Sequence, residues 1–153
     1  MRAAAAVLVV LPLALAVSGC ERRFETYVAE LDGALEGVTT SARGRAILLL
    51  SREGDRAEVT LSVAGVSSEI SGSYIRRAPR GQAGPPVYTL WEAGQGAFDN
   101  ANAILRVWDA RTPPGGVAFD ETMLRELRAG NLYVNVQTRA RPSGEVRGQL
   151  LPE

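Results

Sequence analysis

The chain has 153 residues, with 17 arginines against 17 acidic side chains, one cysteine, no lysine and no histidine. Those absences exclude a Ser-His-Asp or Cys-His nucleophile, a Ser-Lys dyad, a Schiff base and a phosphate-loop lysine. Zinc or copper would have to be held by carboxylates alone, which suit neither ion, and a balanced charge draws in no nucleic acid. Carboxylate-based hydrolysis and an oxygen-ligated hard cation stay open, although no DxDxDG-type calcium loop occurs.

In chain order, residues 1–19 read as an export signal. Arg2 gives a positive start, residues 3–17 an apolar stretch too short to span a bilayer comfortably, and Ser18-Gly19 small residues before Cys20. Val17-Ser18-Gly19-Cys20 resembles the lipobox of bacterial lipoproteins. That resemblance implies cleavage before Cys20, a thioether-linked diacylglycerol on its sulfur and an acyl chain on its new amino group. An ordinary export signal with an incidental cysteine is the alternative. A lone cysteine in an exported chain has no disulfide partner and needs another explanation, and several acyl chains suffice for a stable anchor. Glu21 does not resemble the Asp that marks inner-membrane retention in some bacteria, so the outer membrane is expected. Residues 20–23 are then a short acylated tether and residues 24–153 a single domain. Removing Arg2 leaves 16 arginines against 17 acids, a charge near −1.

Residues 24–31 (FETYVAEL) are the first predicted strand, and 32–41 (DGALEGVTTS) read as a loop. The apolar run 44–50 (GRAILLL) is a central strand, 52–55 a hairpin turn, and 56–64 its returning strand, with Ala57, Val59, Leu61 and Val63 inward. Residues 65–72 break the alternation before a short strand at 73–76. The loop 77–86 (RAPRGQAGPP) admits neither helix nor central strand. Strands follow at 87–91 and 103–108, with a loop over 93–102 between them and a hard turn at 112–116. Residues 120–129 are the predicted helix: Asp120 caps it, Glu121 and Arg125 lie four apart, and Gly130 suits a left-handed stop. Its stripe of Met123, Leu124 and Leu127 reads as core. Finally, 132–138 and 145–150 alternate around a turn at 139–144, an antiparallel hairpin. Leu132, Val134 and Val136 share one face; Tyr133, Asn135 and Gln137 share the other. Seven or eight short strands at spacings of about ten residues predict an all-β sandwich or barrel with one short helix.

The last hairpin also carries a resemblance. Gly130-Asn131-Leu132-Tyr133-Val134-Asn135-Val136-Gln137-Thr138, followed by Pro142-Ser143-Gly144-Glu145-Val146-Arg147-Gly148-Gln149-Leu150, resembles the terminal signature of the CHRD (chordin) domain. Residues 27–34, 39–44 and 73–76, with Pro79, Gly81, Gly84 and Pro85, resemble its earlier motifs in the same order. The resemblance covers nearly all of residues 24–151. It implies an immunoglobulin-like or Greek-key β-sandwich, a topology likened to copper/zinc superoxide dismutase. In animals such domains occur in a secreted antagonist of bone morphogenetic proteins; in bacteria they are mostly secreted or anchored, with no settled activity. Fold alone does not give function. The family's usual histidines are replaced by Tyr74, Arg76 and Gln137. If those histidines bind metal, this chain is not expected to; if they are structural, Tyr74 and Gln137 can take their place as hydrogen-bonding groups.

Tyr133, Asn135, Gln137, Glu145 and Arg147 are a candidate recognition face, read otherwise as a polar network that fixes strand register. Arg76, Arg77 and Arg80, together with Arg139 and Arg141, are a candidate anion patch for lipid headgroups or polysaccharide. Trp91 and Trp108 are expected in the core rather than as sugar platforms. Asp99 with Asp109, and Glu69 with Glu92, are the only acid/base pairs to consider, and their spacing singles out neither. The expectation is a non-catalytic, membrane-anchored binding or structural module of the bacterial cell envelope, with no catalytic residue, metal or cofactor. Its partners would be the membrane through lipidated Cys20 and an envelope protein or polysaccharide. The rival is an envelope enzyme, redox or carboxylate-based; a subunit of a larger complex would carry a large exposed apolar patch.

Overall fold

The computed structural model describes residues 24–96, 98, 103–111 and 116–153. The leader, Cys20, Asp99 and most of the 112–116 turn lie outside them. Nine strands and one helix follow in order among the described residues: β1 Glu25–Leu31, β2 Arg43–Leu50, β3 Ala57–Ala64, β4 Ile70–Arg77, β5 Pro86–Glu92, β6 Ile104–Trp108, α1 Glu121–Arg128, β7 Leu132–Thr138, β8 Arg141–Gln149 and β9 Leu151–Pro152. They form two antiparallel sheets, β6-β3-β2-β1-β9 and β5-β4-β7-β8. β3 pairs with β6 in one sheet, while β4 and β7, the next strand after each, pair in the other. These paired crossings are the Greek-key feature of a β-sandwich.

Alternation explains the layers. β3 turns Ala57, Val59, Leu61 and Val63 into the core, and β2 answers with Ala46, Leu48 and Leu50. The second sheet contributes Ile75, Leu90, Val134, Val136 and Val146. Burying a side chain of this size contributes about 1.5–3 kcal/mol. Trp108 stacks on Tyr88 at 5.0 Å and meets Phe119 edge-on at 4.9 Å. Its indole N–H donates to Val117 O at 2.7 Å. Both tryptophans are buried core residues.

The helix follows its predicted signals. Asp120 accepts from the backbone of Thr122 and Met123, and Gly130 takes φ +70° beyond its end. Met123 and Leu127 are buried, with Leu124 packed against them. Arg125, however, donates to Thr122 Oγ1 at 3.2 Å and not to Glu121. Arg128 instead ties the helix to β1 through Glu25 at 2.6 Å.

Two strand starts and one loop differ from the sequence reading. β4 begins at Ile70, not residue 73, because Ile70 is buried and a register shift before Gly72 accommodates the break in alternation. β8 begins at Arg141, which pairs with Thr138, so the six-residue turn contracts to Arg139-Ala140. Pro142, Ser143 and Gly144 are then absorbed as an irregularity in the strand, Gly144 at φ +145°. The loop after β1 contains a single 3-10 turn, Ala34–Glu36, seeded by Asp32 accepting from the Ala34 N–H at 2.8 Å.

The two sheets meet along one seam. Asp32 and Arg147 exchange two backbone hydrogen bonds, at 3.2 and 2.9 Å, and β8 continues through buried Leu150 into β9 at the edge of the other sheet. This seam holds the last hairpin over the loop that follows β1.

Candidate functional site

The polar side chains of the last hairpin come together, but under cover. Arg147 is only 3 % exposed and Asn135 1 %. Arg147 lies opposite Asn135 across β7 and β8. Its guanidinium sits 3.8 Å from the Tyr133 ring centroid, close enough for a desolvated cation–π contact. It also donates to Gln82 O at 2.8 Å, with Glu36 Oε1 3.9 Å away. Asn135 donates to the same Glu36 carboxylate at 2.8 Å. The Tyr133 hydroxyl accepts from Gly84 N–H at 3.1 Å, and Gln149 donates to Ala78 O at 3.0 Å. The Ala34–Glu36 turn and the 78–84 loop are therefore clamped onto the sheet. Apart from half-buried Gln137, the candidate recognition face is a buried layer, because two loops distant in sequence cover what alternation assigns to water. Arg147 Nε and Asn135 Oδ1 have no hydrogen-bond partner. The layer thus specifies how the loops dock more than it adds net stability.

Glu145 is the second anchor. Its side chain is fully buried. Oε1 accepts from Thr40 Oγ1 at 2.7 Å and Ser67 N–H at 2.8 Å; Oε2 accepts from Ser67 Oγ and Thr138 Oγ1, each at 2.8 Å. Burial pushes the carboxyl up, but these hydrogen bonds together outweigh it and hold it below the usual carboxylate range. A group with a depressed folded pKa contributes stability that is present above its unfolded value, about 4.3, and lost as pH falls through the folded value. Glu145→Gln turns an acceptor-only group into one that must also donate. It is expected to cost about 2 kcal/mol at pH 7 and to flatten the acid limb of a stability–pH curve measured by urea denaturation.

Tyr74, Arg76 and Gln137 share the outer face of β4 and β7. Tyr74 lies across Gly72, where a Cβ would come within 2.5 Å of its hydroxyl, and donates to Glu92 at 3.2 Å. Burial, then the Glu92 charge, pushes its phenol up. Arg76 donates to Gly84 O at 3.0 Å and lies 5.6 Å from the Tyr74 ring. Gln137 is half-buried. Among the described residues, no group of three or more His, Cys, Asp or Glu gathers as a metal site.

The arginines do not form one patch. Arg76 is engaged by the 78–84 loop, and exposed Arg80 borders a groove with Glu30 and Asp32. Exposed Arg77 is at the opposite end of β7 from Arg139, a separation of about 20 Å at the rise of a strand. Arg139 pairs with Glu69 at 3.1 Å. Of the acid/base pairs, Glu69 and Glu92 are thus engaged by different groups. Asp109 accepts from Arg111 N–H at 2.8 Å, and Asp99 lies outside the described residues. Of the residues that complete the layer, Thr40 and Gly84 lie in motifs that carry the resemblance, whereas Glu36, Ser67 and Gln82 are marked by no local pattern.

These features define an antiparallel β-sandwich whose last hairpin is locked by a buried polar layer. A family model described as the CHRD domain matches residues 27–150, and the chain belongs to that family. No match was found among curated proteins or solved structures.

Proposed function

We propose that this CHRD domain is a non-catalytic binding or structural module of the bacterial cell envelope, held to the membrane by acylated Cys20. The observation that supports the non-catalytic reading is the engagement of the signature side chains within the fold. The most deeply buried carboxylate among the described residues, Glu145, has four donors on its two oxygens and a lowered pKa. A general acid needs the opposite shift and an open face toward substrate. The lipobox-like residues before Cys20 support the anchor, with the outer membrane the preferred address. An envelope protein or polysaccharide is the partner class within a short tether's reach.

The test is a comparison of wild type and Cys20→Ser in a bacterial host by intact mass and membrane fractionation. Wild type is expected to carry diacylglycerol mass and to sediment with membranes; the variant is expected to lose both. An unmodified, soluble wild type would remove the anchor from this reading.

A further inference from the structure

The outer face of the five-stranded sheet carries an apolar stripe, flanked on one side by the row Glu30, Arg45 and Ser62, and no layer of the described chain covers it. Register aligns Leu151, Val28, Ile47, Thr60 and Leu105 in one row across all five strands, without a charge in it. The neighbouring row runs Thr26, Leu49, Glu58 and Val107. An antiparallel sheet with one solvated face normally alternates apolar-in and polar-out. Here β2 and β6 send Ile47, Leu49, Leu105 and Val107 outward. Among the described residues six large hydrophobic side chains are exposed, and all but Val117 belong to this face or its rim. Leu105 is the most open at 59 %, followed by Phe24 at 54 %. Contiguous apolar surface of this kind marks an interaction site. Charges in and beside the rows are paired: Glu58, within the second row, with Arg56 at 2.7 Å, and Arg45 beside the first with Glu30 and Glu153, each at 3.4 Å. A paired charge loses less hydration when the face leaves water.

Phe24 selects the occupant. It borders a depression with Leu49 and Glu58, so the chain enters β1 from this face. The tether 20–23 reaches at most about 14 Å even when fully extended. We infer that the apolar sheet face lies on the lipid surface, at the headgroup and acyl boundary of the bilayer that holds Cys20. This rests on the acylation proposed above. A second copy stacked on the same rows is the competing occupant; the tether favours lipid, because it already keeps the face beside the bilayer.

The experiment uses the lipidated full protein, reconstituted into phosphatidylethanolamine–phosphatidylglycerol vesicles. With the Cys20 sulfur acylated, one introduced cysteine is the only free thiol. Leu49→Cys, Leu105→Cys and, as an outside reference, Arg141→Cys are each labelled with a fluorophore. All three positions are exposed, so labelling leaves the core intact. A face buried about 5–10 Å into the interface is expected to show quenching by spin-labelled lipid at 49 and 105 at least about threefold stronger than at 141. Equal quenching at all three, on protein that floats with the vesicles, would overturn the face and leave the anchor standing. Protein that fails to float would overturn the anchor and this proposal with it. Probes at 49 and 105 shielded from both lipid and an aqueous quencher, in protein that cross-links as a dimer, would assign the face to a second copy and overturn the lipid contact.

Discussion

Gly148→Ala is expected to lose at least about 4 kcal/mol of folding stability, or to fail to fold, from one added methyl group. A Cβ at Gly148 would sit 2.3 Å from Glu30 O and 2.7 Å from its carbonyl carbon. Both are backbone atoms of β1, so no side chain can swing aside. The strands would have to separate by roughly 1 Å where Asp32 and Arg147 exchange their two hydrogen bonds, each worth about 1 kcal/mol net. Arg147 lies next in sequence, so the same displacement would pull its guanidinium from Tyr133 and Gln82. Urea denaturation should show a lower midpoint with an unchanged m-value if the variant folds. A loss under about 1 kcal/mol would mean the seam is looser than its geometry.

The second large effect is expected at Arg147. Arg147→Ala removes the cation over Tyr133, the donor to Gln82 O and the positive charge nearest Glu36, and leaves a void in a closed layer. Breaking a buried charge pair by deleting one partner costs about 3–5 kcal/mol. Arg147→Met, which keeps the apolar stem, should recover part of that loss through packing. Calorimetry of the two variants separates the contributions: Met above Ala in Tm shows that the stem packs, and wild type above Met shows what the charge adds. If both variants melt with wild type, Arg147 is not a structural clamp, and the recognition-face reading of the hairpin regains its standing.

Much of the sandwich was legible because its signals are local. The alternation of residues 56–64, the Asp120 cap and the Gly130 stop each depend on a few adjacent residues, and the structure follows them. The buried layer was legible only as a set of residue types. Period-2 alternation assigns Tyr133, Asn135 and Arg147 to the face away from the core, which is correct. It cannot tell whether that face meets water or a second cover. The cover comes from Glu36, Gln82 and Gly84, and Thr40 reaches Glu145 across 105 positions of sequence. No window of sequence contains both ends of such a contact. The outer face of the five-stranded sheet escaped for the converse reason. The run Ala46-Ile47-Leu48-Leu49-Leu50 reads as a central strand, and β2 is central, yet Ile47 and Leu49 point out of the sandwich. The start of β8 was missed because Pro142 and Gly144 mark a turn by composition, while Arg141 already pairs with Thr138.

The signature hairpin acts on its own fold, clamping loops that close over it. The most direct measurement is a double-mutant cycle in urea between Thr40→Val and Glu145→Gln, which share the 2.7 Å hydrogen bond from loop to hairpin. The clamp predicts that each single variant loses stability and that the two are coupled by at least about 1 kcal/mol. Two near-neutral variants whose effects simply add would contradict it.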